Sequence, residues 1–216
     1  QEFGTGYDGR NISSVIVWDN VLNYKKAFGK HSLDAMAGSS WTQSKWSQNY
    51  INGSNYANDL FPTLNAANKI SWTGTGSSAS DWAILSTFAR LQYNWNDTYM
   101  VTANMRADGS SKFARGKRYG VFPSVSAGWT ISNEKFMEDT QSWLDFLKLR
   151  VSWGQVGNQN IDNYQYTAPI TSSNTHYIFG TNYGASAQSG FWGAYPSRLA
   201  NSDVTWETSE QTNVGI

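Results

Sequence analysis

Between residues 106 and 131 the chain passes from a polar, basic stretch into strict alternation. Val121, Pro123, Val125, Ala127, Trp129 and Ile131 fall on one side of an extended backbone, and Phe122, Ser124, Ser126, Gly128 and Thr130 on the other. A period of two is that of a pleated strand. One side is apolar and the other mostly small and polar. The same reading gives about seven strand segments, at roughly 12–28, 32–46, 81–95, 98–107, 120–131, 146–157 and 204–216. In the second, Leu33, Ala35, Ala37 and Trp41 share a face. In the sixth, Leu147, Leu149, Val151 and Trp153 oppose Lys148, Arg150, Ser152 and Gly154.

The connections between these segments are unequal in a regular way. Phe28-Gly29-Lys30 and Asn94-Trp95-Asn96-Asp97 are tight turns, and 132–145 is a moderate link in which Ser132 or Asn133 could cap a single helical turn. The alternate connections are long and rich in Asn, Ser and Gly: 47–80, with a possible short helix from Tyr56 to Ala67, then 107–119, then 157–203, with room for a hairpin of its own. A half-buried soluble β-sandwich and a transmembrane barrel both carry a polar and an apolar strand face. Long strands joined alternately by short and long connections favour an all-β, antiparallel up-and-down transmembrane barrel, of which about seven strands are an incomplete portion.

Composition sharpens that choice. Charged residues make up 15% of the 216, with 16 basic balanced by 16 acidic, so nothing points to nucleic acid. The 11 Trp, 12 Tyr and 10 Phe suit a β-protein that faces lipid or sugar. No run approaches the 18 apolar residues of a membrane helix, a criterion blind to strand-built membrane proteins. With no cysteine, a disulfide scaffold and a thiolate metal site are both excluded. Aromatics close to the short turns (Tyr24, Phe28, Tyr93, Trp95, Tyr99, Trp129, Phe136, Trp143 and Phe146) fit one lipid interface. Arg90, Lys148 and Arg150 all fall opposite the apolar stripe, where they would meet a wet lumen. Glu210 shares a face with Trp206, Thr212 and Val214, and would have to lie above the hydrocarbon.

Four motifs then carry a resemblance. Arg106-Ala-Asp-Gly-Ser-Ser-Lys-Phe113, Gly120-Val-Phe-Pro-Ser-Val-Ser-Ala-Gly-Trp129, Leu147-Lys-Leu-Arg-Val-Ser-Trp-Gly-Gln-Val-Gly-Asn158, and Leu199-Ala-Asn-Ser-Asp-Val-Thr-Trp-Glu207 with Gln211-Thr-Asn-Val-Gly-Ile216 resemble, in order, the later barrel region of the SusC/RagA family of TonB-dependent outer-membrane transporters of Bacteroidetes. The resemblance implies a large barrel with an N-terminal plug in the bacterial outer membrane, importing glycans or peptides without chemical conversion. It also implies coupling to the TonB complex through that plug and a SusD-like surface lipoprotein as lid. Residues 1–216 would then be a fragment of such a transporter, in contact with membrane lipid and lipopolysaccharide. The rival reading is a secreted Trp-rich β-sandwich that binds glycans.

No catalytic constellation stands out, and no cofactor is expected. Glu134, Glu138 and Asp139 crowd one short connection rather than flanking a cleft as a hydrolase pair would. His31 and His176 lack neighbours at metal-ligand spacing, and Gly109 to Lys117 lacks the spacing of a phosphate loop. Candidates for substrate contact are the aromatics placed in or beside the long loops: Trp46, Tyr50, Trp72, Trp192 and Tyr195, because sugar faces stack on rings. Lys112, Arg115, Lys117 and Arg118 make the one basic cluster, an outer-rim loop able to meet anions or to stand as solvated charge.

Overall fold

A computed structural model describes residues 4–57, 63–140, 142–172, 176–177 and 191–216. Seven strands form one antiparallel sheet: β1 (Gly4–Phe28), β2 (His31–Tyr56), β3 (Ala67–Trp95), β4 (Tyr99–Ser110), β5 (Tyr119–Thr130), β6 (Lys148–Asn158) and β11 (Glu207–Gly215). Their order, β1-β2-β3-β4-β5-β6-β11, is a simple meander in which each strand pairs with its sequence neighbour in the sheet. Four two-residue strands form two further small ladders. β7 (Ile170–Thr171) pairs with β10 (Tyr195–Pro196), and β8 (His176–Tyr177) with β9 (Phe191–Trp192).

The register carries the sequence alternation across every strand. Ala35 pairs with Leu91, Leu91 with Ala103, and Ala103 with Val125. Met36, Arg90, Asn104 and Ser124 form the neighbouring row on the opposite face. A one-residue slip would exchange the faces, so the pattern itself specifies the pairing. β1 is the exception, with Val15, Val17 and Val21 on the polar side. Among the described residues no second layer covers the apolar face: Leu22 is 73% exposed, Trp18 66% and Met105 57%. A sandwich would cover that face with another sheet, so the secreted-sandwich reading is set aside.

At one end of the sheet the short turns gather an aromatic row. Phe28 stacks on His31 at 5.1 Å, Trp95 on Tyr99 at 5.4 Å, and Tyr99 on Trp129 at 6.3 Å. His31 Nδ1 is hydrogen-bonded to the Tyr93 hydroxyl at 2.6 Å. From Leu85 to Trp95, at about 3.3 Å per residue and a tilt of about 40°, the apolar face of β3 covers about 25 Å along the barrel axis, the height of a lipid-facing band.

The strands run far past that band, which corrects the loop expected over 47–80. β2 continues to Tyr56 and β3 starts at Ala67, so the connection narrows to 57–66. Above the band both strand faces are wet, and the alternation that marks a strand disappears while the ladder persists. Within the described part of that connection the expected helix is a 3-10 turn, Leu64–Ala66. The loop expected over 107–119 shortens to 111–118, because β4 reaches Ser110. After β5 come two 3-10 turns, Ile131–Asn133 and Lys135–Thr140. Thr130, rather than Ser132 or Asn133, is the residue at the first N-cap.

Candidate functional site

The polar face is built from small residues into which a few large side chains lie flat. A Cβ on Gly157 would stand 2.0 Å from the ring of Phe122, and one on Gly38 2.7 Å from that of Phe88. Glycine at these two positions is the condition for the rings to lie against the strands. Arg106 then spans the wall. Its Nε donates to both Asp108 carboxylate oxygens at 2.8 Å, its Nη2 donates to Ser86 Oγ at 3.0 Å, and its guanidinium sits 5.8 Å from the centre of the Phe88 ring.

The loop after β4 is a folded cap. Phe113 is fully buried beneath Trp206, with ring centres 5.2 Å apart, and Phe122 meets the same indole edge-on at 5.3 Å. Trp206 donates its indole N–H to the carbonyl of Arg118 at 2.8 Å. Ser111 extends the β3 ladder: its N–H donates to Ala83 O, and its Oγ accepts from the Ala83 N–H, both at 2.9 Å. The motifs at 106–113, 120–129, 147–158 and 199–207 therefore meet at one place, the rim where β4, β5, β6 and β11 end.

Beside this cap lies a cleft of about 950 Å³, between β3 at Ser80 and Trp82, Lys112, and the 160–165 segment. Lys112 Nζ donates to Ile161 O at 2.7 Å and stands 5.7 Å from the centre of the Trp82 ring. Asn163 Nδ2 donates to Ser80 Oγ at 2.6 Å. Tyr164 adopts φ 61°, a left-handed conformation rare for a bulky residue. Its hydroxyl donates its one proton to the Asp81 carboxylate and accepts from the Asp81 N–H at 3.3 Å. The hydrogen bond to the Asp81 carboxylate pushes the Tyr164 phenol above its ordinary value. Arg198 holds this turn from behind, donating to the Tyr164 carbonyl at 2.6 Å and to Gln165 Oε1 at 3.1 Å.

The aromatics expected to touch substrate are dispersed. Trp46 pairs with Ser80 on the polar face of β2, next to the cleft. Tyr50 lies further along the same strand, stacked on Tyr7 at 6.3 Å. Trp72, 84% exposed, stands where the β2–β3 register breaks. Tyr195 is 46% exposed in the small outer ladder, and the side chain of Trp192 lies outside the described residues. Of the basic cluster, Lys112 and Arg118 are committed to carbonyls, the latter through Nε to Phe113 O at 3.2 Å. Lys117 makes a loose pair with Asp203 at 3.8 Å, and Arg115 is exposed. Trp82, Asn163 and Tyr164 escaped the sequence reading, although a tryptophan interrupting the small, polar face of β3 was a visible signal.

At the turn end, Glu134 Oε1 accepts from Tyr99 Oη at 2.6 Å and from Trp129 Nε1 at 3.0 Å. Those bonds hold its carboxyl below the ordinary carboxylate range, against a smaller opposing effect of desolvation. On the apolar side of the last pair, Trp153 Nε1 donates to Glu210 Oε1 at 2.8 Å. Thus the stripe Val151, Trp153, Thr212 and Val214 meets a carboxylate at Glu210.

Together, an uncovered apolar face with an aromatic belt and a polar opposite face make this sheet a portion of a membrane β-barrel wall. The model of the TonB dependent receptor-like β-barrel family matches residues 2–216, and the chain belongs to that family. TonB-dependent receptor P39 of Formosa agariphila is 31% identical over the whole chain, which covers 19% of that protein. SusC of Bacteroides thetaiotaomicron is 37% identical over 62% of the chain, which covers 13% of it. The fold is shared with the RagAB peptide transporter structure, at a TM-score of 0.82 and 24% identity over 98% of this chain and 22% of that one. The chain thus spans about a fifth of the curated relatives it matches. TonB-dependent receptors are transport proteins, not enzymes.

Proposed function

We propose that this chain is part of the barrel of a SusC-like outer-membrane importer that carries an oligosaccharide or peptide inward without altering it. The observation that carries the reading is the division of one continuous seven-stranded meander into a lipid-type face and a water-type face over about 25 Å. In this reading the short turns look to the periplasm, and the 111–118 cap and 159–206 segment to the exterior. The partners are a SusD-like lipoprotein over the outer loops, the TonB complex acting through a plug elsewhere in the polypeptide, and lipid with lipopolysaccharide around the apolar face. Lys117 and Arg115, exposed on the cap, are the cations placed to meet lipopolysaccharide phosphates.

Fractionating cells that express the complete chain tests this. The expected result is recovery in the outer membrane, extractable only with detergent, with import abolished when the TonB complex is deleted. A detergent-free soluble monomer would overturn it.

A further inference from the structure

We propose that the cleft between Trp82, Lys112 and the 160–165 turn is a subsite for one sugar ring of an oligosaccharide. The proposal rests on the import reading above and specifies where and what the wall recognises. Three separate chain segments converge there, and each is held before any ligand arrives: Lys112 by the Ile161 carbonyl, Asn163 by Ser80, and Tyr164 by Asp81 in front and Arg198 behind. A bulky residue in the left-handed region persists only where its surroundings over-determine it, and such residues cluster at binding sites.

The unspent hydrogen-bonding capacity indicates the ligand. Asn163 Oδ1 is buried without a partner among the described residues, an acceptor that a ligand hydroxyl would satisfy. Lys112 has no ion-pair partner among the described residues and retains donors beyond the one given to Ile161. Asp162 adds a carboxylate to the lining, and Trp82 and Tyr164 add aromatic surface. Hydroxyls both donate and accept, and sugar C–H faces pack on rings, so this set suits a polyhydroxylated ring.

A peptide strand would need open backbone groups on the neighbouring edge of β3. There the Asp81 N–H is taken by the Tyr164 hydroxyl, and both backbone groups of Ala83 by Ser111. Beside Trp82, at Asp81 and Ala83, the cleft therefore offers mainly side chains.

The test uses whole cells that carry the complete transporter, its lipoprotein and an intact TonB complex. Fluorescently labelled α-glucan, β-xylan, β-mannan and β-galactan hexasaccharides and a labelled Ala/Gly/Ser hexapeptide are offered to wild type, Trp82→Ala, Trp82→Tyr and Asn163→Ala. The expected result is uptake of a hexasaccharide that falls about tenfold in Trp82→Ala and Asn163→Ala and recovers partly in Trp82→Tyr, at equal barrel content by heat-modifiable gel mobility. Uptake of sugar unchanged by these variants, or of the peptide alone, overturns the subsite and leaves the importer standing. If no probe enters wild-type cells, the import reading fails and the subsite with it.

Discussion

The indole of Trp206 donates to the backbone carbonyl of Arg118 at 2.8 Å, joining positions 88 residues apart. It closes the cap over Phe113 and ties the segment entering β11 to the hairpin of β4 and β5. Replacing Trp206 with Ala should cost about 2 kcal/mol, because the indole is only half-buried, and Phe113→Ala about 3 kcal/mol. Urea unfolding of the complete barrel in detergent gives the magnitudes. Protease cleavage within 111–118 should rise in both variants.

Phe122 and Gly157 form the other half of that contact. Since a methyl on Gly157 would overlap the Phe122 ring, Gly157→Ala should cost about 1 to 3 kcal/mol through overpacking. A smaller ring site tests the mechanism: Phe122→Leu should offset most of the loss caused by Gly157→Ala, and a purely additive double variant would refute the clash.

Glu134 makes the turn end pH-sensitive. Its folded carboxyl is depressed by the Tyr99 and Trp129 bonds, so their contribution is complete above the unfolded glutamate value, about 4.3, and is lost as pH falls through the lower folded value. The indole N–H resonance of Trp129 should therefore hold constant from neutral pH down to that point and shift below it. In Glu134→Gln the shift should vanish.

The two faces should differ in their tolerance of charge. Leu91→Arg places a cation in the middle of the apolar band and should cost about 2 to 4 kcal/mol. Thr102→Arg, on the polar face beside Gln92 and Ser126, should assemble nearly normally. Barrel content in the outer membrane, read by heat-modifiable mobility, separates the outcomes.

How much of this was legible beforehand follows from where water lies. Through Leu85–Trp95 one face is dry and one wet, so alternation marks the strand and even its register. Above Leu85 that contrast fades, and Ser47–Tyr56 and Ala67–Ser80 read as loop although, apart from the break after Tyr50, they are laddered. The motif at 106–113 was readable as a pattern, but its cause is Phe113 and Asp108 meeting Trp206 and Arg106 through tertiary contact. The cleft was hidden for a similar reason. Trp82 is one residue in a strand, and only the fold brings the 160–165 segment, about 80 residues later, against it.

The unequal heights of β3 and β4 leave a stretch, Ser77–Ser80, that pairs with β2 alone in the sheet. Such a rail invites strands from crowded neighbours to zip on and seed aggregates. The tyrosine hydroxyl seated on Asp81 interrupts the rail at its base, and the break in register after Tyr50 kinks it further up. If this end faces the cell exterior, as proposed above, the tall hairpin can stand among crowded neighbours without serving as a template for them.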